Sequence, residues 1–132
     1  MSRIDIIGAN GNDGLHYDFY PWKEPIYECE SYWVYNDKYP VTEGHLLFVP
    51  KNECRGYITL CFDAALKLGK EKVETKEWDG FNIGINQGKA AGQTVPYPHI
   101  HLIPRRNGDM EDPTGGVRHV IPNKGNYKDG QK

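Results

Sequence analysis

Two histidines stand one residue apart in the segment 97–106, which reads YPHIHLIPRR. Successive side chains of a β-strand point to opposite faces of the sheet, so a strand here would place His99 and His101 together. Tyr97 would share that polar face, while the alternate apolar residues would form core. An imidazole can act as a nucleophile, transfer a proton or bind a metal. These histidines are therefore the first candidates for a site that does chemistry.

The histidine pair alone leaves three interpretations open. The two side chains could simply face solvent on an edge strand, or they could take part in catalysis. They could also bind zinc, because neutral imidazoles are common zinc ligands, but a zinc site needs at least a third ligand. No HxxxH pair or cysteine partner lies at a convincing spacing, and only His45 or Asp37 could complete such a site through the tertiary fold.

The glycine-rich segment 86–94, NQGKAAGQT, comes just before the histidines. Glycine lets the backbone approach a ligand closely, and backbone N–H groups in such a loop can hold phosphate oxygens. Asn86, Gln93 and Thr94 add hydrogen-bonding side chains at the same place. A phosphate-binding loop is one interpretation of this segment, and a flexible hairpin loop is the other.

The rest of the chain predicts the elements that must position these residues. Five segments have the composition or punctuation typical of strands: 3–7, 31–35, 45–49, 81–85 and 98–103. Tyr57, Cys61, Ala64 and Leu68 recur at spacings of four, three and four, which predicts one amphipathic helix over 58–74. Close-set strand pairs and a single helix indicate an α+β fold, an antiparallel sheet with one long helix packed on it.

Length and composition limit the class of protein. The 132 residues suit one domain, 1–132, with an irregular N-terminal arm at 1–31 and a polar tail at 107–132. A formal net charge of -2 gives no reason to expect nucleic-acid binding, and no apolar run is long enough to span a membrane. The N-terminus has no signal-peptide core, and the three cysteines form no CxxC pair, which disfavours a disulfide scaffold. We therefore expect a cytoplasmic protein with reduced thiols.

Two segments resemble the histidine-triad (HIT) family of nucleotide-binding proteins. Residues 86–106 (NQGKAAGQTVPYPHIHLIPRR) are similar to its GQ[ST]V stretch followed by three alternating histidines. Residues 37–51 (DKYPVTEGHLLFVPK) resemble its upstream D-x-x-P, G-H and P-K segment. The family's first triad histidine is replaced by Tyr97, whereas the second and third are present as His99 and His101.

The resemblance implies a HIT-like fold in which His99 attacks the α-phosphate of a nucleotide. A nucleotidyl-histidine intermediate would form, and water would then release the nucleotide. The backbone carbonyl of Tyr97 would hold one ring nitrogen of His99, and His101 would contact phosphate oxygens or the leaving group. Phosphate contacts are implied for three further residues, Asn86, Gln93 and Thr94. The scheme requires no metal and no cofactor.

Three residues in the matched motifs have implied supporting or binding roles. Asp37 would accept hydrogen bonds from the ribose hydroxyls, and a turn-capping aspartate is the alternative. His45 and Tyr97 would support the site, and we expect the Tyr97 hydroxyl to exchange a hydrogen bond with His45, directly or through water. Proteins similar to this family commonly pair, and a short sheet with a free edge or face also suggests a homodimer.

Several functions fit these observations. A hydrolase of a dinucleoside polyphosphate, such as diadenosine tetraphosphate, is expected first. A nucleoside phosphoramidase or nucleotidyl transferase on the same fold is an alternative. The tyrosine in the triad suggests a different class, a nucleotide-binding module without turnover. A zinc-binding protein is a further alternative, which elemental analysis would detect.

Overall fold

The computed structural model describes residues 21–128, and the predicted strand at 3–7 lies outside them. The described strands are β1 (Tyr27–Glu28), β2 (Tyr32–Asn36), β3 (Leu46–Pro50), β4 (Gly80–Ile85) and β5 (Ile100–Arg105). Helix α1 spans Arg55–Glu74, and two short 3-10 helices span Lys89–Ala91 and Gly116–Val120. No helix in this part of the chain has both the length and the apolar character needed to cross a membrane.

The five strands form one antiparallel sheet in the order β1-β2-β3-β5-β4. The predicted α+β architecture is confirmed, because one long helix accompanies this sheet. Strand β5 is an inner strand, and His101 lies between Leu47 of β3 and Gly84 of β4. Neighbours on both sides therefore hold the backbone of this histidine.

Helix α1 packs on one face of the sheet and forms the main core with it. It begins at Arg55, earlier than the predicted start at residue 58. Cys61 is fully buried, and Ala64 and Leu68 pack against the same core, as the apolar stripe predicted. The sheet contributes a layer of buried side chains to this core: Val34, Leu46, Phe48, Ile100 and Leu102.

Gly69 lets the helix approach the sheet closely. A Cβ atom at this position would lie 2.8 Å from three ring carbons of Phe81 on β4. Such a distance is shorter than van der Waals contact between carbon atoms. The packing therefore explains a residue of low helix propensity inside a long helix.

The opposite face of the sheet carries a second, aromatic cluster. Its buried members are Tyr35, Leu47, Val49 and Tyr97, with Trp22 and Trp33 packed against them. His101 is the cross-strand partner of Leu47, so it belongs to this face. The predicted alternation is thus confirmed, because the neighbouring Ile100 and Leu102 lie in the core under the helix.

Two boundaries near the ends differ from the sequence prediction. Strand β5 begins at Ile100 instead of residue 98, so His99 lies just before the strand. Pro98 has no backbone N–H to donate to a ladder, which explains the later start. Strand β1 lies inside the segment that was expected to be an irregular arm, where Tyr27 and Glu28 pair with β2.

Candidate active site

A cavity of about 890 Å³ opens beside His99 and His101. This volume lies in the range of about 300–1,000 Å³ that is usual for small-molecule sites. Asp37 and Thr94 also line it, so the fold brings together four of the residues that the sequence identified. The cavity therefore joins the upstream motif, the glycine-rich loop and the histidine segment.

His99 is held in one ring orientation by the backbone beside it. Its Nδ1 lies 2.9 Å from the carbonyl oxygen of Tyr97, which can only accept a hydrogen bond. The proton of the neutral ring therefore sits on Nδ1, and Nε2 keeps a lone pair. The indole of Trp22 packs against the ring at a centroid distance of 4.9 Å. The bond from His99 Nδ1 to the Tyr97 carbonyl is the contact that the resemblance implied.

His45 is buried, and its two ring nitrogens have different partners. The Val41 N–H donates to its Nδ1 over 3.2 Å, so the proton of the neutral ring sits on Nε2. That nitrogen lies 3.0 Å from Nδ1 of His101 and 3.3 Å from Oδ2 of Asp37. His45 therefore donates toward His101 and Asp37.

His101 has the same tautomer as His45, with its proton on Nε2. Its Nδ1 accepts from His45, so a neutral His101 carries its proton on Nε2. This Nε2 is buried and makes no hydrogen bond with any of residues 21–128. A buried donor without a partner is costly, and here a ligand in the cavity can supply the missing acceptor.

Burial keeps both of these imidazoles neutral. It lowers the pKa of His101 to about 4, and the nearby His99 and His45 lower it further, against the opposing effect of Asp37. Burial also lowers the pKa of His45, and the Asp37 carboxylate opposes that shift. His101 therefore acts near neutral pH as a hydrogen-bond donor and not as a cation.

Asp37 contacts both the turn that follows it and the histidines His45 and His101. Its Oδ1 accepts the Tyr39 N–H over 2.7 Å, which is the turn-capping contact that local sequence suggested. Its Oδ2 lies 3.3 Å from His45 Nε2 and 3.9 Å from His101 Nδ1. A carboxylate has about four lone-pair sites, so these contacts leave capacity for a ligand.

Gln93 does not line the cavity, contrary to the expectation of a phosphate contact. Its Oε1 accepts the Gly88 N–H over 2.8 Å, and its Nε2 donates to the carbonyls of Val95 and Pro96. The Gln93 side chain therefore links the start of the glycine-rich loop to the residues that follow it through hydrogen bonds.

Asn86 follows the last residue of β4 and is also absent from the cavity wall. Ile85 pairs with Ile100 in the ladder. Continuing this antiparallel register by one residue would put Asn86 opposite His99. A role for Asn86 toward the phosphates therefore stays a prediction.

Tyr97 does not use its hydroxyl for the expected bond to His45. The hydroxyl donates to the buried carbonyl of Pro50 at the end of β3, over 2.8 Å. Burial raises the pKa of this phenol well above its usual range. His45 instead pairs with His101, because Tyr97 points into the aromatic cluster. Tyr97 supports the site by anchoring the segment whose carbonyl orients His99.

Sequence reasoning missed the walls contributed by residues 21–24. Trp22, Lys23 and Lys38 line the cavity, and none of them was singled out. Lys38 lies inside the matched DKYP motif, where a lysine next to Asp37 was a usable signal. Trp22 stands in an irregular stretch without periodicity, so no pattern connected it to the distant histidines.

The comparisons with known proteins agree with this geometry. The family model of the HIT domain matches residues 23–108. An uncharacterised HIT-like protein of Methanocaldococcus jannaschii is 37% identical over 92 residues, which cover 65% of this chain and 71% of that protein. The asymmetrical bis(5'-nucleosyl)-tetraphosphatase of Schizosaccharomyces pombe is 31% identical over 94 residues, covering 66% of this chain and 52% of that protein.

A solved structure, that of a zinc-bound histidine triad family protein from Mycobacterium smegmatis, aligns with a TM-score of 0.60 and 35% identity. The alignment covers 67% of this chain and 69% of that one. The fold, the placement of His99 and His101 and the family match agree with one another. The chain belongs to the HIT-domain family.

Proposed function

We propose that this protein is a nucleotide phosphohydrolase in which His99 forms a transient nucleotidyl-histidine. The observation that carries the proposal is the 2.9 Å contact between His99 Nδ1 and the Tyr97 carbonyl. It leaves a lone pair on Nε2 of a residue that lines a nucleotide-sized cavity. Such a ring is a nucleophile that needs no separate base to remove a proton.

The reaction has two displacements at the same phosphorus. His99 Nε2 attacks the α-phosphorus, a P–N bond forms, and the bond from phosphorus to the leaving-group oxygen breaks. Water then attacks, the P–N bond breaks, and the nucleoside monophosphate leaves while one proton passes to solvent. The buried Nε2–H of His101 donates a hydrogen bond to a phosphate or leaving-group oxygen in both steps. Positioning and charge stabilisation dominate phosphoryl transfer, which suits this donor.

We propose dinucleoside polyphosphates as the substrate class, with diadenosine tetraphosphate as the first member to test. The related protein of S. pombe bears the name of a tetraphosphatase. Trp22 and Tyr35 offer aromatic walls for a base. The cavity lining is balanced in charge, because Lys23 and Lys38 stand beside Glu24 and Asp37, so the two lysines are assigned to the phosphates and Asp37 to a ribose.

Three polar residues are assigned to the nucleotide in this proposal: Asp37, Asn86 and Thr94. Asp37 accepts hydrogen bonds from the ribose hydroxyls through its remaining lone pairs. Asn86 and Thr94 donate to the phosphates from the two ends of the glycine-rich loop. Gln93 contributes through the shape of that loop.

We also propose that the protein acts in the cytoplasm as a homodimer. Cys29, Cys54 and Cys61 are free thiols, which is the usual state in a reducing compartment. Strand β4 is at the edge of the sheet and pairs with β5 on one side. Such an edge is normally covered or otherwise protected, and a second copy would do so.

Release of AMP from a panel of diadenosine polyphosphates and AMP-amides tests the proposed function. The wild-type protein should hydrolyse at least one dinucleotide, and His99→Ala should lower kcat by about 10⁴-fold or more, the scale of removing a nucleophile. His99→Ala should still bind the nucleotide in a calorimetric titration. His119→Ala removes an imidazole that bonds the Thr114 carbonyl in the tail, and it should keep its activity.

The panel also separates the alternatives. Turnover of AMP-amides alone would favour a phosphoramidase or nucleotidyl transferase. Nucleotide binding without turnover of any compound would favour a binding module, and recovery of activity in Tyr97→His would attribute that loss to the tyrosine. Undiminished activity in His99→Ala would refute the covalent mechanism.

A further inference from the structure

Asp37, His45 and His101 bring one oxygen and two nitrogens within 3.9 Å of one another. His45 Nε2 lies 3.0 Å from His101 Nδ1 and 3.3 Å from Asp37 Oδ2, and His101 Nδ1 lies 3.9 Å from Asp37 Oδ2. A circle through the corners of this triangle has a radius of about 2.0 Å, close to the Zn–N distance of about 2.0–2.1 Å. One position is therefore at bonding distance from all three atoms.

The chemistry of the three donors also suits zinc. Two imidazoles and one carboxylate form a common catalytic zinc ligand set, in which a fourth position stays open. Asp37 and His101 line the cavity, so an ion between them would be reachable from solvent. Among the described residues, these three form the one cluster of this kind.

We propose that Asp37, His45 and His101 together bind one zinc ion, whose fourth position opens to the cavity. The consequence rests on the proposed function, because the same Asp37 carboxylate is assigned there to the ribose. An ion that takes this carboxylate removes it from the substrate. Zinc is therefore a reversible inhibitor of nucleotide binding, and the fold does not require it.

Zinc binding must move one proton. In the metal-free protein the Val41 N–H donates to His45 Nδ1, which places the His45 proton on Nε2. Zinc needs the lone pair of that Nε2, so the His45 proton moves to Nδ1 and the ring stays neutral. The Val41 amide then loses its acceptor. Its amide resonance consequently reports occupation of this site, whatever the enzyme activity is.

Calorimetric titration of the full chain with zinc chloride, after treatment with a chelator and without nucleotide, tests the site. We expect one ion per chain, and at least about tenfold weaker binding in Asp37→Asn, His45→Gln and His101→Ala. Loss of an outer partner already weakens metal sites by about 10–100-fold. Asp37→Asn keeps an oxygen for the Tyr39 N–H, so it is the variant least expected to disturb the fold.

Three control variants keep their zinc affinity if the proposal is correct. His99→Ala removes the neighbouring imidazole, Cys54→Ser removes an exposed thiol, and His119→Asn removes a distant imidazole. Circular dichroism identifies any variant that fails to fold. If the ligand variants do not fold, the wild-type protein is titrated with cobalt(II) instead of zinc. We then expect the intense visible absorption of four-coordinate cobalt.

Two outcomes would overturn the proposal. One is the absence of stoichiometric zinc binding, or of the four-coordinate cobalt spectrum. The other is zinc binding that survives in Asp37→Asn and His45→Gln with the Val41 amide unchanged. Failure of the proposed function would appear separately, as a protein that binds zinc at this site but hydrolyses no nucleotide.

Discussion

Tyr97→Phe should reduce stability much more than catalysis. The Tyr97 side chain is 2% exposed, and its hydroxyl donates to the buried Pro50 carbonyl over 2.8 Å. Removing the hydroxyl takes this donor away from a buried acceptor, so the free energy of unfolding should fall by about 1–3 kcal/mol. The contact from residue 97 to His99 is a backbone carbonyl, which phenylalanine retains. We therefore expect kcat/KM to change by less than about threefold.

Urea unfolding and steady-state kinetics on the same preparations test this expectation. The denaturation midpoint should fall with an unchanged m-value, which indicates a loss of stability and not a change of unfolding mechanism. Tyr127→Phe is the matched control, because Tyr127 is 47% exposed and does not line the cavity, so it should alter neither quantity. A hundredfold loss of kcat in Tyr97→Phe with unchanged stability would place the hydroxyl in the chemistry and refute the reasoning.

Four further predictions concern the whole molecule. The pKa of His101 is lowered from 6.5 to about 4 in the folded protein. On acidification the unfolded chain therefore binds a proton at this histidine before the folded protein does. The free energy of unfolding, measured by urea titration, should consequently fall between about pH 6.5 and pH 4. Gly69→Ala should lower Tm despite the higher helix propensity of alanine, whereas Gly56→Ala, whose Cβ would have no neighbour within 4 Å, should not lower it. Sedimentation equilibrium should give a homodimer, and a mass of 15.1 kDa at micromolar concentration would contradict this. A chelator should leave the protein folded, with Tm lowered only by the loss of any bound zinc, since the fold does not depend on a metal.

The parts of this protein that follow from local patterns were predictable. Period-two alternation around His101 placed that side chain on the face opposite the helix, and the helical stripe placed Cys61 in the core. Both patterns follow from the geometry of a single element. The later start of β5 was less accessible, because proline effects on a ladder depend on which neighbouring strand is present.

The contacts that define the site depend on segments that are distant in the chain. His45 and His101 are 56 residues apart, and no local pattern specifies that their ring nitrogens meet. The hydroxyl of Tyr97 bonds the Pro50 carbonyl, 47 residues away in the chain, and not His45 directly, as was expected. The loop contacts of Gln93 could not be predicted for a related reason, since a side-chain amide bonds the backbone of a loop as readily as a phosphate, and its phosphate contact stays a prediction.

The position of Tyr97 has a consequence for recognising such proteins. Its contact with His99 is made by a main-chain oxygen, which every amino acid possesses, and its side chain bonds the end of β3. A search pattern that demands histidine there would discard this chain, although the orientation of His99 does not depend on it. Family membership is better judged from His99 and His101, together with a residue at position 97 whose side chain can bond the neighbouring strand.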